Sequence, residues 1–262
     1  MAQRAGKTRV LPRSLSTAPE WLIVVAGAGS AGRLLNCHGD MNLHGTGPAQ
    51  GFWPLLSDDE RTVLAGLGRS TVYPPGAVMC VEGDPNTHVF VLVDGWVKIV
   101  GVTSDGHELT LALRGRGDTV GEMAGETTGY RSATVQAVGT VRALIVPYEK
   151  FSSFLDAHDG ADRAYRRMVT RRWNDAESML RARSVTSGAQ RLAGLLLELA
   201  DSELQTTMTL TQEELASLTG ASRATVTRAL SNWRRRGIIR TGQRDITITD
   251  LGALRKIAGQ QP

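Results

Sequence analysis

The 262-residue chain holds only two cysteines, Cys37 and Cys80. Two thiols exclude a disulfide-stapled scaffold and fall short of the four thiolates of a four-cysteine iron–sulfur cluster. The five histidines, His38, His44, His88, His107 and His158, are scattered, and no His/Cys set has metal-ligand spacing. Paired carboxylates in a cleft pattern and a Ser/His/Asp arrangement are also missing, so an enzyme is not expected. No apolar run approaches the roughly 20 residues of a membrane span. The longest candidate, Trp21 to Ala26, is far too short, and no membrane partner is expected.

The residues that are present are ordinary in bulk and informative in distribution. Hydrophobic residues make up 41% and charged residues 21%, enough for one or two domains with real cores. The net charge of +4 is unevenly spread: residues 51–184 carry 15 Lys/Arg against 17 Asp/Glu, whereas residues 185–262 carry ten against seven. The positive C-terminal part suits a polyanion.

Near the N-terminus, Trp21-Leu22-Ile23-Val24-Val25 reads as a strand, and Gly27-Ala28-Gly29-Ser30-Ala31-Gly32 spells G-x-G-x-x-G. That pattern belongs to dinucleotide-binding enzymes, but it needs a succeeding helix, a second strand and an acid roughly 20 residues on. The chain instead continues as a Gly/His/Pro-containing stretch to Gln50, from which no βαβ unit can be built. A nicotinamide-dependent enzyme is therefore the weaker rival. Residues 1–50 read as a poorly ordered Ala/Gly/Arg-rich extension.

From residue 51 to 157 the pattern changes twice. Ser57 with Glu60 three residues on is a helix-start signature, and Val63, Leu64 and Leu67 suit one helix face. Short β-type runs come next, punctuated by Gly76, Gly83-Asp84, Gly95, Asp105-Gly106 and Gly117-Asp118. Val89–Val93 and Trp96–Val100 flank Asp94-Gly95, which reads as a hairpin turn. Strands at this spacing suggest a β-sandwich or barrel.

The most specific stretch runs from Val120 to Val135. Glu122 comes directly after Gly121, and Arg131-Ser132 stands nine residues later, leading into a short β run. A guanidinium offers planar, charge-assisted donors to a phosphate anion, and a carboxylate accepts from a ribose hydroxyl. A glycine lets backbone N–H groups approach where a Cβ would block them. This stretch resembles the phosphate-binding cassette of cyclic-nucleotide-binding domains. Together with a helix-turn-helix further on, it is similar to the Crp/Fnr family of transcription regulators. The resemblance covers about residues 52–256. It implies an α+β protein: an antiparallel β-roll at 51–157, a dimerisation helix at 158–184 and a winged helix-turn-helix at 185–256. It also implies that Glu122 takes the ribose hydroxyl, and that Arg131 takes the phosphate with help from Ser132 and the N–H groups of Gly121 and Met123. The effector would be cAMP or cGMP. The oxygen-sensing cluster of some relatives is excluded by the cysteine count.

From about Asp159 to Arg183 the chain is helical in character, with Tyr165, Val169, Trp173, Ala176 and Leu180 as one apolar stripe and Arg166, Arg167, Arg171 and Arg181 largely elsewhere. In the family this helix pairs across a two-fold axis and lies over the nucleotide. In its cAMP-binding members it brings a Thr-Ser pair to the adenine. Here Ala176 and Glu177 fall at those places, which puts cAMP specificity in doubt. Asp175 or Glu177 could instead accept from guanine N1–H and N2–H₂.

Leu210 to Leu230 reads as two helices around a tight turn. Thr211 with Glu214 makes a capping box, Gly220 permits the turn and Ser222 can cap the second helix. Val226, Ala229, Leu230 and Trp233 can face a core, leaving Arg223, Thr225, Thr227 and Arg228 outward for a major groove, where Arg bonds guanine O6 and N7. In the family the recognition helix opens Ser-Arg-Glu-Thr-Val. Here Ala224 replaces the Glu and cannot accept from cytosine, so the operator should differ at that base pair. Arg234, in the run Arg234-Arg235-Arg236, and Arg244, in a wing between Ile238-Ile239-Arg240 and Ile246-Thr247-Ile248, suit phosphates.

The expectation is a homodimeric, cytoplasmic regulator of transcription, gated by cAMP or cGMP, on a pseudo-palindromic double-stranded operator, with RNA polymerase as a further partner. A regulator of the same fold with another effector, or none, is the nearer alternative.

Overall fold

A computed structural model describes residues 21–23, 51–85, 87–127, 129–201, 208–241 and 246–259. Trp21–Ile23 forms a short strand, β1. Trp53–Leu55 makes one tight turn before helix α1, Asp58–Leu67. The expected start is there: Glu60 N–H donates to Ser57 Oγ at 3.2 Å and Ser57 N–H donates to Glu60 Oε2 at 2.8 Å. Seven strands come after it, interrupted by one short helix: β2 Arg69–Tyr73, β3 Val78–Cys80, β4 His88–Asp94, β5 Val97–Val102, β6 Glu108–Arg114, β7 Thr119–Val120, helix α2 Glu122–Glu126, and β8 Thr134–Ala137. β9, Val141–Pro147, closes the series before helices α3 Tyr148–Ala157 and α4 Asp159–Val185.

The strands form two antiparallel four-stranded sheets, ordered β2-β9-β4-β7 and β3-β8-β5-β6. β4 is apolar almost throughout because both its faces are buried. Phe90 and Leu92 point between the sheets with Val97, Val120, Val135 and Ile145, while Val89 and Val91 pack under the helices with Phe52, Leu64, Phe151 and Met168. The expected hairpin at Asp94-Gly95 is not one. β4 pairs with β7 and β9, and β5 pairs with β6 and β8, so this turn carries the chain from one sheet to the other. Gly95 has φ +87°, and a Cβ there would lie 2.3 Å from the Thr140 carbonyl oxygen.

The C-terminal part comprises α5 Gly188–Asp201, β10 Met208–Leu210, α6 Gln212–Thr219, α7 Arg223–Arg235, β11 Ile239–Thr241, β12 Ile246–Ile248 and α8 Leu251–Ala258. Both expected caps form: Glu214 N–H donates to Thr211 Oγ1 at 3.1 Å, and Thr225 N–H donates to Ser222 Oγ at 3.1 Å. Gly220 takes φ +59° at the turn between α6 and α7. β11 and β12 pair antiparallel as the wing. In the N-terminal segment, β1 pairs antiparallel with β10, so Trp21–Ile23 joins the fold instead of being loose extension. Its sequence is that of a strand, and the edge of β10 gives it backbone partners.

The two halves share a core. Trp96, Leu113 and Val138 of the strand region lie in the same buried cluster as Leu192, Leu196, Leu215 and Trp233 of the helical region.

Candidate functional site: a guanidinium-lined cavity and a winged helix-turn-helix

Residues of the 120–135 stretch meet at a cavity of about 370 Å³. Gly121, Glu122, Met123, Arg131 and Ser132 all line it, as do Val169, Trp173 and Ala176 of α4. Arg131 is fixed from behind. Its Nη1 donates to the carbonyls of Gly121 at 2.7 Å and His88 at 2.8 Å, and its guanidinium lies over the Phe90 ring at 5.4 Å. Its backbone is tied as well: Arg131 N–H donates to the Asp84 carbonyl at 3.0 Å, and Gly83 N–H to the Arg131 carbonyl at 2.8 Å. Gly121 has φ +87°, and a Cβ on it would lie 2.4 Å from Arg131 Nη1. The glycine before Glu122 thus serves the guanidinium's seat and the left-handed backbone together.

Glu122 is 6% exposed. One carboxylate oxygen accepts from Arg172 Nη1 at 2.8 Å; the other is buried and accepts no hydrogen bond from the described residues. Arg172 comes from α4 and also donates to the Thr119 carbonyl at 2.6 Å and to Asp118 at 3.4 Å. Burial alone would lower its pKa; Glu122 and Asp118 outweigh that and leave it raised. Arg171, expected to lie away from the packed face, sits 3.6 Å from Asp118 and 3.9 Å from Asp175. Tyr165 also turns inward and donates to Glu126 at 2.5 Å. Burial, then the negative charge of Glu122, pushes its hydroxyl well above the usual range.

The two carboxylates expected at the base end are placed elsewhere. Glu177 is exposed and paired with Arg181 at 2.6 Å. Asp175 is turned to Arg171, and neither is part of the cavity lining. One turn of helix separates the two ends of an i, i+4 pair, so each carboxylate reaches the arginine of its own helix first. A residue without a motif takes the inner wall: Arg114, the last residue of β6. Burial, then the neighbouring charge of Arg172, lowers its pKa to about 10.

In the second half, Arg223, Thr227 and Arg228 are exposed along α7, with Ser222 exposed at its cap. Thr225 is half-buried, and its hydroxyl meets that of Ser222 at 2.9 Å, so it is less outward than the spacing suggested. Thr227 Oγ1 donates to Gln212 Oε1 at 2.6 Å, tying the two helices across their outer face. Arg234 is exposed in the last turn, where a cation complements the helix dipole. Arg244 lies outside the described residues. Sequence reasoning missed Arg191, 7% exposed, which donates to the Thr186 carbonyl after α4 and to the Thr219 (2.6 Å) and Gly220 (3.1 Å) carbonyls of the helix-turn-helix turn. It stands on the buried face of α5, where its position in Gln190-Arg191-Leu192-Ala193 was the only signal.

Residues 70–158 match the cyclic nucleotide-binding domain family, and residues 190–257 match the Crp-like helix-turn-helix domain. A CRP-like cAMP-activated global transcriptional regulator of Mycobacterium tuberculosis is 31% identical over 185 residues, covering 68% of this chain and 83% of the relative. A cyclic AMP receptor protein of Thermus thermophilus is 28% identical over 203 residues, covering 78% and 94%. Among solved structures, a CRP-family transcriptional regulator from Thermus thermophilus matches with a TM-score of 0.62 at 24% identity, covering 72% and 97%. With a cyclic-nucleotide-type roll, a winged helix-turn-helix and relatives of this length and identity, the chain belongs to the Crp/Fnr family of transcriptional regulators.

Proposed function

We propose that this regulator binds a cyclic nucleotide, cAMP or cGMP, in the roll cavity, and that the bound nucleotide sets the DNA affinity of a homodimer. The observation that carries the reading is the pairing of Arg131 with a buried, undonated oxygen of Glu122 on one cavity wall. A buried acceptor without a donor is costly, and a ribose hydroxyl would satisfy it while the phosphate meets Arg131. Ser132 and the N–H groups of Gly121 and Met123 complete the phosphate end.

The dimer would form along α4, whose Val169, Trp173 and Leu180 are 44%, 75% and 64% exposed. A second copy covers this stripe and the open side of the cavity at once. The gating is a population shift: the nucleotide favours the dimer whose two α7 helices stand about 34–36 Å apart, one turn of a pseudo-palindromic operator. Ser222, Arg223, Thr225, Thr227 and Arg228 would then face the groove, and Arg234 and Arg244 the phosphates. Such a protein works where the chromosome is, in the cytoplasm, and acts on RNA polymerase.

Selection of operators from random double-stranded DNA, with and without each nucleotide, tests this. The expected result is one two-fold-related sequence, enriched only when nucleotide is present. Equal enrichment without nucleotide would favour the ligand-independent alternative.

A further inference from the structure

We infer that Arg114 reads the base of the bound nucleotide and selects a 6-oxopurine, so that cGMP is the preferred effector. This rests on the cyclic-nucleotide reading of the cavity and identifies its ligand.

A nucleotide with its phosphate on Arg131 and its ribose on Glu122 extends its base toward the α4 side of the cavity, since Glu122 is itself bonded to Arg172 of that helix. Two guanidiniums stand there, and they differ. Arg172 is consumed by Glu122, Asp118 and the Thr119 carbonyl. Arg114 donates one hydrogen bond, from Nη1 to the Leu113 carbonyl at 2.8 Å, and no carboxylate among the described residues lies within 4.0 Å of it. A guanidinium has five N–H donors and no acceptor. Arg114 therefore brings a half-buried guanidinium with further donors to a cavity wall, where a ligand's acceptors can meet them.

The purines differ at the edge that would meet it. Guanine and hypoxanthine offer O6 and N7, two adjacent acceptors that a guanidinium takes in bidentate fashion. Adenine offers N7 beside an N6 amino group, which is a donor and faces the guanidinium donor to donor. One good bidentate contact corresponds to about ten- to hundred-fold in affinity. The Mycobacterium and Thermus relatives are named for cAMP; here Ala176, on the α4 side of the lining, has no side-chain oxygen to accept from an adenine amino group.

The test is calorimetric titration of the full chain and of Arg114→Met with cGMP, cAMP and cIMP. cIMP keeps O6 and N7 but lacks the N2 amino group. The wild-type chain is expected to bind cGMP and cIMP alike, both about ten- to hundred-fold tighter than cAMP. Arg114→Met should bring the three to nearly equal affinity. Wild-type binding of cAMP as tight as or tighter than cGMP overturns the role of Arg114 while leaving a nucleotide site. Tight cGMP with weak cIMP overturns it in favour of a carboxylate reading the amino group. Binding of none of the three removes the nucleotide reading and Arg114 with it. If Arg114→Met does not fold, the order of the three wild-type affinities decides.

Discussion

Arg131 has two jobs in this structure, and they cannot be separated by the simplest substitution. One edge of the guanidinium holds the His88 and Gly121 carbonyls, and the same side chain lines the cavity. The sequence alone suggests that Arg131→Ala would remove nucleotide binding and leave the fold untouched. The structure changes the second half of that expectation. Two carbonyls lose a charged donor, which costs about 1–3 kcal/mol for a buried group left unsatisfied. Arg131→Ala should therefore lose nucleotide-induced thermal stabilisation and also lower the denaturant midpoint of the free protein. An unchanged midpoint would mean that those carbonyls find water. The pairing of Glu122 with Arg131 was legible because both lie in one short, glycine-punctuated stretch. Arg172, Arg171, Arg114 and Arg191 were not. Arg172, Arg171 and Arg191 meet decisive partners 28 to 54 residues away and Arg114 bonds a neighbouring backbone carbonyl, and an arginine on a helix or strand reads as a solvated face until the fold shows what lies opposite.

At the scale of elements, local signals set helices and turns, and pairing was decided elsewhere. The capping boxes of α1 and α6 and the cap of α7 were readable because each closes within three residues. The Asp94-Gly95 turn misled because a tight turn fixes a change of direction and not the strand that will lie alongside; both edges of β4 were already taken by β7 and β9. Helix α4 carries the same lesson. Its stripe was visible, but it divides: Tyr165 packs inward at 8% exposure while Trp173 and Leu180 stay outside. Leu180→Asp should therefore leave the protomer folded, because Leu180 is 64% exposed, and should weaken the proposed α4 dimer. Sedimentation should show monomers at concentrations where the wild-type chain is dimeric. A wild-type dimer that survives this change would place the two-fold contact off α4. On α7, Arg223 is exposed at the first helical turn. Arg223→Ala should weaken specific operator binding by about 1–3 kcal/mol and relax one base position, with little effect on non-specific DNA. Competition binding against single-base operator variants measures both.

For the whole molecule, the proposed gating requires a physical path between the cavity and α7. β6 offers a direct route. Its last two residues point to opposite sides, as successive strand residues must. Leu113 is fully buried in the core shared with α5 and α6, and Arg114 lines the cavity. Beside them, Lys98 of β5 forms a part-buried ion pair with Glu214, the same residue that closes the capping box of α6. By pattern, Trp96 to Val100 reads as one strand; β5 starts at Val97, and an apolar side chain such as Trp96 does not name what will cover it, here the helical half. This contact ties the first helix of the helix-turn-helix to the sheet that carries Arg114. Coupling between two sites is a free energy, and it is lost when the element both of them bias comes loose. Lys98→Met keeps the aliphatic stem over the interface and removes the charge, while Glu214 retains its cap on Thr211. The variant should stay folded and keep its nucleotide affinity nearly intact. The ratio of operator affinities with and without nucleotide should fall toward one, read by fluorescence anisotropy on labelled operator DNA. A ratio that stays at the wild-type value, with both affinities measured at one salt concentration, would show that the signal does not cross at Lys98 and would move the route to the α4–α5 connection, where Arg191 donates to the Thr186 carbonyl.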